Sequence, residues 1–232
     1  LPFSLINRAQ NWLEWTGDLG PLKKVLDSIP PEQDAGQMAA RYRYLVAYWE
    51  GRFAEALSLL EEAGDDLNAS KRAGSEVLPV SSLIAELHAL LGHPVQAREH
   101  YQRARQVLEE KMRSRPDQPE TLAALASALA GLGETEAALA LMKRARSLLA
   151  PQLDPLRYGE VVLSAAVLQA GAGHPERALD ELEHYMALPY SAAVHMLRMA
   201  PPLKTLHEHP RFKALLARYT PSDQQLAVKG ER

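Results

Sequence analysis

The chain repeats one short string four times: Gly51-Arg-Phe-Ala-Glu-Ala56, Gly92-His-Pro-Val-Gln-Ala97, Gly133-Glu-Thr-Glu-Ala-Ala138 and Gly173-His-Pro-Glu-Arg-Ala178. The glycines follow one another at intervals of 41, 41 and 40 residues. Each string separates two segments whose apolar residues recur every three or four positions, as in amphipathic helices. A near-constant period of this length is typical of stacked helical hairpins. A non-repetitive helical bundle would not place one string four times at a fixed spacing.

The glycine and the alanine of each string have separate structural roles. Glycine at the end of a helix adopts the left-handed conformation that lets the chain reverse. In two strings a proline follows, at Pro94 and Pro175, where the next helix begins and a missing N–H is tolerated. The alanine falls on the second helix, where a small side chain allows close approach of two helices. These alanines are Ala56, Ala97, Ala138 and Ala178.

The second helix of each hairpin resembles the second-helix consensus of the tetratricopeptide (TPR) repeat family. The resemblance is carried by the recurring alanine, a large apolar residue such as Leu60 and a further small residue such as Ala63. The small crossing position of the first helix is filled in three units, by Ala85, Ala126 and Ala166, and replaced by Tyr44 in the first. The family's tryptophan is absent. The resemblance implies an all-α fold, a right-handed α-α superhelix of TPR-like hairpins with a C-terminal capping helix.

The ends of the array are expected to differ from the four central repeats. A divergent opening hairpin is predicted, with helices over 3–15 and 21–29 joined at Asp18-Leu19-Gly20, so that its glycine lies 31 residues before Gly51. Because the period exceeds the 34 residues of the TPR family, we expect longer helices, notably over 94–112 and 134–149. The predicted parts are residues 1–36 (opening hairpin), 37–188 (four repeats), 189–219 (capping segment and helix) and 220–232 (flexible tail).

Residues 197–216 resemble the closing segment of bacterial multidomain regulators, in which a TPR array follows a cyclase, kinase or winged-helix domain. The match rests on Pro210-Arg211-Phe212 and Leu215-Leu216, whereas Ala200 and His209 replace aspartates of the family pattern, which weakens two N-caps. Phe212 and the two leucines are expected to cover the last hairpin. The resemblance implies the C-terminal sensory or scaffold region of a regulator of signalling or transcription. Its partner would be another protein, a peptide or its own upstream signalling domain.

Composition narrows the class of partner and the compartment. The net charge of −3 provides no basic field for nucleic acid. Basic residues within 103–115 and 143–146 lie late in second helices, where they complement the helix dipole. No apolar run approaches the roughly 20 residues that span a bilayer. The lack of cysteine fits a reducing compartment. We therefore expect a cytoplasmic protein with no direct nucleic-acid contact and no membrane span.

The sequence carries no recognisable catalytic or metal-binding motif. It lacks an HExxH pair, an EF-hand loop, a Walker glycine run and a Gly-x-Ser-x-Gly elbow. His93 and His174 occupy the same place in two strings, which favours a role in capping the turn over one in ligation. His207 and His209 precede Pro210, which favours a turn over a chelating pair. We therefore expect no enzyme, no cofactor and no metal, and an all-helical enzyme is the least favoured alternative.

Binding is expected on the concave face, which the first helices line in TPR arrays. The carboxylate clamp of chaperone-binding TPRs is absent, because Leu45 stands where its asparagine would be. The remaining groove is apolar, with an aromatic patch at one end, and suits an amphipathic helix or an extended peptide. Packing against the opening hairpin is the alternative role for its aromatic residues, and a homo-oligomeric scaffold (a homodimer included) is the alternative function. The candidate contact residues are Arg41, Tyr42, Leu45, Tyr48, Trp49, Ser82, Glu86 and Ser127.

Overall fold

A computed structural model describes residues 2–30, 34, 38–64, 79–188 and 194–220. Within these ranges the chain is helical and contains no strand, as the repeat pattern predicts. Helices pack mainly with their hairpin partner and with the next hairpin, which is the arrangement of a TPR-like superhelix. The helices are α1 (Pro2–Thr16), α2 (Gly20–Asp27), α3 (Met38–Trp49), α4 (Phe53–Ala63), α5 (Val80–Leu90), α6 (Pro94–Ser114), α7 (Pro119–Gly131), α8 (Thr135–Ser147), α9 (Pro155–Gly171), α10 (Pro175–Ala187), α11 (Val194–Met199), a 3₁₀ helix (Pro201–Leu206) and α12 (Pro210–Tyr219).

The four repeated turns share one backbone geometry. Their glycines have φ between 75° and 86°, which confirms the predicted left-handed conformation. The amide after each glycine donates to the carbonyl five residues earlier, as His93 N does to His88 O at 2.8 Å, and this is the Schellman closure of a helix. The same residue then accepts from the amide of the string's alanine, as His93 O does from Ala97 N at 3.0 Å. Each string therefore ends one helix and starts the next.

The opening hairpin reverses at a different glycine from the one expected. The left-handed residue is Gly17, with φ of 73°, and not Gly20. Gly20 is the first residue of α2, and its amide donates to Asp18 Oδ1 at 2.8 Å. The interval from Gly17 to Gly51 is 34 residues, so the shortfall of the first unit is smaller than the sequence suggested. Asp18 explains the difference, because its carboxylate satisfies an amide of the first turn of α2.

Small residues occupy the crossings of the helices. The alanines of the four strings are 0–5% exposed, and those at the first-helix crossing are fully buried. Tyr44, which replaces the small residue in the first unit, is also buried, at 4% exposure. The long helix α6 extends to Ser114, two residues beyond the predicted end, whereas α8 covers only Thr135–Ser147 of the expected 134–149. These contacts position α3, α5, α7 and α9 side by side, and α7 touches both α5 and α9.

The C-terminal helix α12 caps the last hairpin, as predicted. Phe212 is fully buried, and Leu215 and Leu216 are 5% and 8% exposed, in a cluster shared with α9 and α10. Arg211 forms ion pairs with three acidic residues of α10, which are Glu176, Asp180 and Glu183. His209 replaces the family's aspartate and still acts as N-cap, since its Nδ1 accepts from Arg211 N at 3.3 Å.

The segment before α12 does more than cover the last hairpin. Helix α11 contacts α1, and the 3₁₀ helix contacts α9. Met196 and Met199 pack against the apolar cluster of α1, α2 and α3, while Val194, Leu197 and Leu203 belong to the cluster of the last hairpin. Residues 194–206 therefore join the first and last hairpins of the array, a contact that the sequence did not reveal.

Candidate interaction face

The predicted contact residues lie on three first helices, which form one side of the array. We call this side the inner face; it consists of the exposed surfaces of α3, α5, α7 and α9. Tyr42 and Tyr48 are buried, Ser127 is exposed, and the other candidates are half-buried. The side chains come from α3 (Arg41, Tyr42, Leu45, Tyr48, Trp49), α5 (Ser82, Glu86) and α7 (Ser127).

Tyr42 packs against the opening hairpin. Its ring is 5% exposed and belongs to the cluster of α1, α2 and α3. The hydroxyl donates to Gln10 Oε1 on α1, and the Arg41 guanidinium lies 5.5 Å from the ring centroid. Burial raises the pKa of Tyr42, an effect that the Arg41 charge opposes. Packing, the alternative considered from the sequence, thus accounts for the placement of this ring.

Tyr48 and Glu86 connect the first helices of two successive units. The Tyr48 hydroxyl donates to Glu86 Oε1, and the ring, 8% exposed, lies 6.0 Å from Tyr44 and 6.2 Å from Phe53. Burial, and secondarily the negative charge of Glu86, raises the pKa of Tyr48 well above its ordinary value. The phenol therefore stays protonated and keeps donating to the carboxylate at any physiological pH. This pair fixes α3 against α5.

Two candidate residues present polar atoms that need a partner. Arg41 Nε and Ser82 Oγ are both buried and have no hydrogen-bond partner within the described ranges. A buried polar atom without a partner costs about 1–3 kcal/mol, so a ligand that supplied one would gain affinity. Ser127 Oγ, in contrast, donates to Ala123 O of its own helix at 3.1 Å. Leu45 and Trp49 lie half-buried between the first two apolar clusters.

Three histidines cluster at the turn between α5 and α6. His88 Nδ1 and His93 Nδ1 are 3.4 Å apart, and the rings of His88 and His100 stack with centroids 5.5 Å apart. In the fourth unit the corresponding pair is His174 Nδ1 with Gln169 Oε1, at 3.0 Å. Both turn histidines thus stand at the predicted place and bridge back to the preceding helix. Among the described side chains, no group of three or more histidine or acidic residues has the geometry to hold a metal ion.

The histidine cluster predicts that acid destabilises the fold. Burial lowers the pKa of His100, and the charges of Arg103 and His88 lower it further. The unfolded chain therefore takes up this proton first, so stability is full above the ordinary pKa of about 6.5 and falls as the pH drops below it. We expect a lower melting temperature near about pH 5.5 than near about pH 7.5, measured by circular dichroism.

A glutamine at position 88 tests that assignment. His88→Gln reproduces the Gln169–His174 pairing of the fourth unit and removes one cation next to His100. We expect the variant to lose part of the pH dependence. His174→Gln, which changes a turn histidine without imidazole neighbours, should keep it. Equal pH dependence in wild type and His88→Gln would contradict the role of the cluster.

The match to a known family covers the middle of the array. Residues 76–150 match the family model of the tetratricopeptide repeat. This span includes α5 to α8 and supports a TPR family for this part, in agreement with the repeated turns. Among curated proteins, none matches the chain. A TPR repeat is a fold for protein interaction, so protein partners are the class that the match suggests.

No helix within the described ranges combines the length and the apolar character that crossing a membrane requires.

Proposed function

We propose that this chain is a protein-interaction module that binds a peptide or helix of a partner on its inner face. The observation that carries the proposal is the stack of TPR-like hairpins, matched to the family over 76–150, whose first helices lie side by side. Half-buried Leu45 and Trp49 supply apolar surface there, and the unpartnered atoms of Arg41 and Ser82 supply polar contacts. Apolar anchors combined with a few directed hydrogen bonds are how such grooves hold a peptide.

The wider context of the module is part of the same proposal. The Pro210-Arg211-Phe212 ending, with Arg211 paired to three acidic residues of α10, supports the likeness to the closing segment of bacterial regulators. In that context the chain is the C-terminal sensory or scaffold region of a cytoplasmic protein for signalling or transcription regulation. Its inner face then contacts a separate partner or an upstream signalling domain.

A homo-oligomeric scaffold is the second candidate, and one observation favours it. Trp12 and Trp15 of α1 are 43% and 40% exposed at the open end of the array. Tryptophans are enriched at protein interfaces because they contribute large apolar area and a hydrogen-bond donor. Stacking of two copies through this end would cover them.

Arginine at position 127 tests binding on the inner face. Ser127 is exposed, and its hydroxyl bonds only within α7, so Ser127→Arg should fold normally and place a long cation on the inner face. Peptides selected from a displayed library against the wild type should bind this variant at least about tenfold more weakly, which corresponds to about 1.4 kcal/mol. Fluorescence anisotropy with labelled peptides measures the affinities.

Ser58→Arg is the matched control. Ser58 is also exposed and donates to the carbonyl four residues earlier, but it lies on the second helix α4. Selected peptides should bind this variant as they bind the wild type. Equal binding to all three proteins would reject the inner face as the binding surface. Light scattering of the same samples over a range of concentrations tests the second candidate, which a constant monomer mass would exclude.

A further inference from the structure

Residues 194–206 lie between the two ends of the array and contact each end differently. Val194, Leu197, Leu203 and Leu206 are 0–3% exposed within the cluster of the last hairpin. Toward the opening hairpin, the apolar contacts of this segment come from Met196 and Met199, which are only half-buried. The attachment to the last hairpin is therefore the stronger one. The joint with α1–α3 is the place where this closed arrangement can open.

Polar contacts at the same joint are few and local. The His195 ring lies directly over Gly17, where a Cβ atom would stand 2.9 Å from Nδ1 and 3.3 Å from the His195 Cβ. His195 also forms a hydrogen bond with the Trp15 backbone. On the other side, the Lys204 ammonium lies 5.8 Å from the centroid of the Phe53 ring at the start of α4. A cation over an aromatic face contributes about 0.5–1 kcal/mol at an exposed site.

Methionine is well suited to a contact that forms and opens. Its side chain is unbranched and flexible, and it fits irregular apolar surfaces without a fixed geometry. Met196 and Met199 are three residues apart on α11, so they share one side of that helix. The two side chains thus dock on α1–α3 as a small helical ligand would. A helix that presents anchors at i and i+3 to an apolar groove is a common mode of peptide recognition.

We propose that the α1–α3 surface under Met196 and Met199 is a partner-binding surface, which residues 194–206 occupy as an internal ligand. The partner is an amphipathic helix with two flexible apolar anchors at i and i+3 and a following basic residue, which are the features of the internal segment. This inference rests on the proposed function, because the partner is a protein. Binding of the partner displaces the segment from the opening hairpin, while the segment remains anchored in the last hairpin.

The internal segment competes with any external ligand. A tethered ligand acts at an effective concentration in the millimolar range. A fluorescein-labelled peptide of residues 194–206 should therefore bind the wild type weakly. In Met196→Glu/Met199→Glu the internal segment carries charges toward an apolar surface, so the surface becomes free. The labelled peptide should bind this variant at least about tenfold more tightly, and hydrogen exchange in α1–α3 should increase.

Arg198→Glu is the control for the added charge. Arg198 is an exposed residue of the same helix. The labelled peptide should bind this variant as weakly as it binds the wild type. Equal affinity of the peptide for the wild type, the methionine variant and the control would overturn the proposal.

A disulfide lock tests the proposal from the closed state and does not depend on the methionine variant folding well. The chain contains no cysteine, so Gly17→Cys/His195→Cys introduces a single possible pair. The two Cβ atoms would lie about 3.3 Å apart, close to the 3.5–4.5 Å of disulfides. Oxidised glutathione should close the bond, and the oxidised protein should bind the labelled peptide at least about tenfold more weakly than the same protein after reduction. Equal binding in both states, or failure of the bond to form, would overturn the proposal.

The two proposals fail in different ways. Library-selected peptides that bind Ser127→Arg weakly, but bind the oxidised and reduced lock equally, would leave the interaction module intact and reject the internal ligand. Peptides that respond to the lock but not to Ser127→Arg would place the binding surface on α1–α3 and reject the inner face.

Discussion

Phe212→Ala is expected to destabilise the C-terminal end of the array by about 3–5 kcal/mol. Phe212 is fully buried in the cluster of α9, α10 and α12, and the His207 ring stacks on it with an interplanar angle of 8°. Truncation to alanine removes the apolar transfer energy of the ring and leaves a cavity that the surrounding helices fill only in part. The same cluster contains Val194 and Leu197, so residues 194–206 should loosen as well.

Hydrogen exchange resolved along the chain measures this effect. Stability in a stack of repeats is a sum of local terms and nearest-neighbour contacts, so exchange should increase in α9–α12 and remain unchanged in α5 and α6. Leu153→Ala is the control, because Leu153 is 87% exposed. Uniform acceleration along the chain would show that the array unfolds as one cooperative unit and would contradict the local effect.

The sequence predicts those parts of the fold that short segments determine. Each turn closes through hydrogen bonds that span only five residues, and each needs a left-handed residue that glycine supplies without strain. The string Gly51–Ala56 and its three relatives could therefore be assigned from local pattern alone. The opening turn was misplaced because it contains two glycines, Gly17 and Gly20. Which of them reverses the chain depends on the contact of Asp18 with the next helix.

The closure by residues 194–206 could not be predicted, because it depends on residues far apart in the sequence. Met196 and Gly17 are almost at opposite ends of the chain, and the packing between α11 and α1 leaves no periodic signal in either segment. Met196 and Met199 read as ordinary residues of a capping helix. Only the curvature of the array, to which every hairpin contributes, brings the opening hairpin within reach of α11.

The candidate contact residues show a second limit of the pattern. Apolar residues surround α3 on several sides, since it packs against α1 and α2 as well as against α4 and α5. Periodicity alone therefore does not separate the rings that pack, such as Tyr42 and Tyr48, from those that retain accessible surface, such as Trp49. The polar residue Ser127 lies on α7, where alanines dominate, and its exposed position followed more directly from the register.

Alanine at Gly131 and at Gly171 should change stability in opposite directions, although the two positions are equivalent. Each glycine is the last residue of a first helix and lies two residues before a left-handed glycine. A Cβ atom on Gly171 would have no neighbour within 4 Å. Because alanine is the better helix former, Gly171→Ala should stabilise the fold by about 0.5–1 kcal/mol.

A Cβ atom on Gly131 would instead lie 2.3 Å from Cε2 of Tyr101, the large apolar residue of the preceding second helix. The ring is held in the cluster of α7 and α8, so relief of this overlap requires a shift of the ring or of α7. Overpacking of this kind typically costs about 1–3 kcal/mol, which exceeds the gain in helix propensity. Gly131→Ala should therefore lower the melting temperature, whereas Gly171→Ala should raise it.

A double-mutant cycle with Tyr101→Ala isolates the contact. If the overlap with the Tyr101 ring is the cause, Gly131→Ala in the Tyr101→Ala background should no longer destabilise and should show the small gain expected of a helical alanine. A loss of the same size in both backgrounds would instead indicate that the backbone at position 131 requires glycine. The cycle thus separates close approach from conformational need, the two reasons for which these repeats keep a glycine near the end of the first helix.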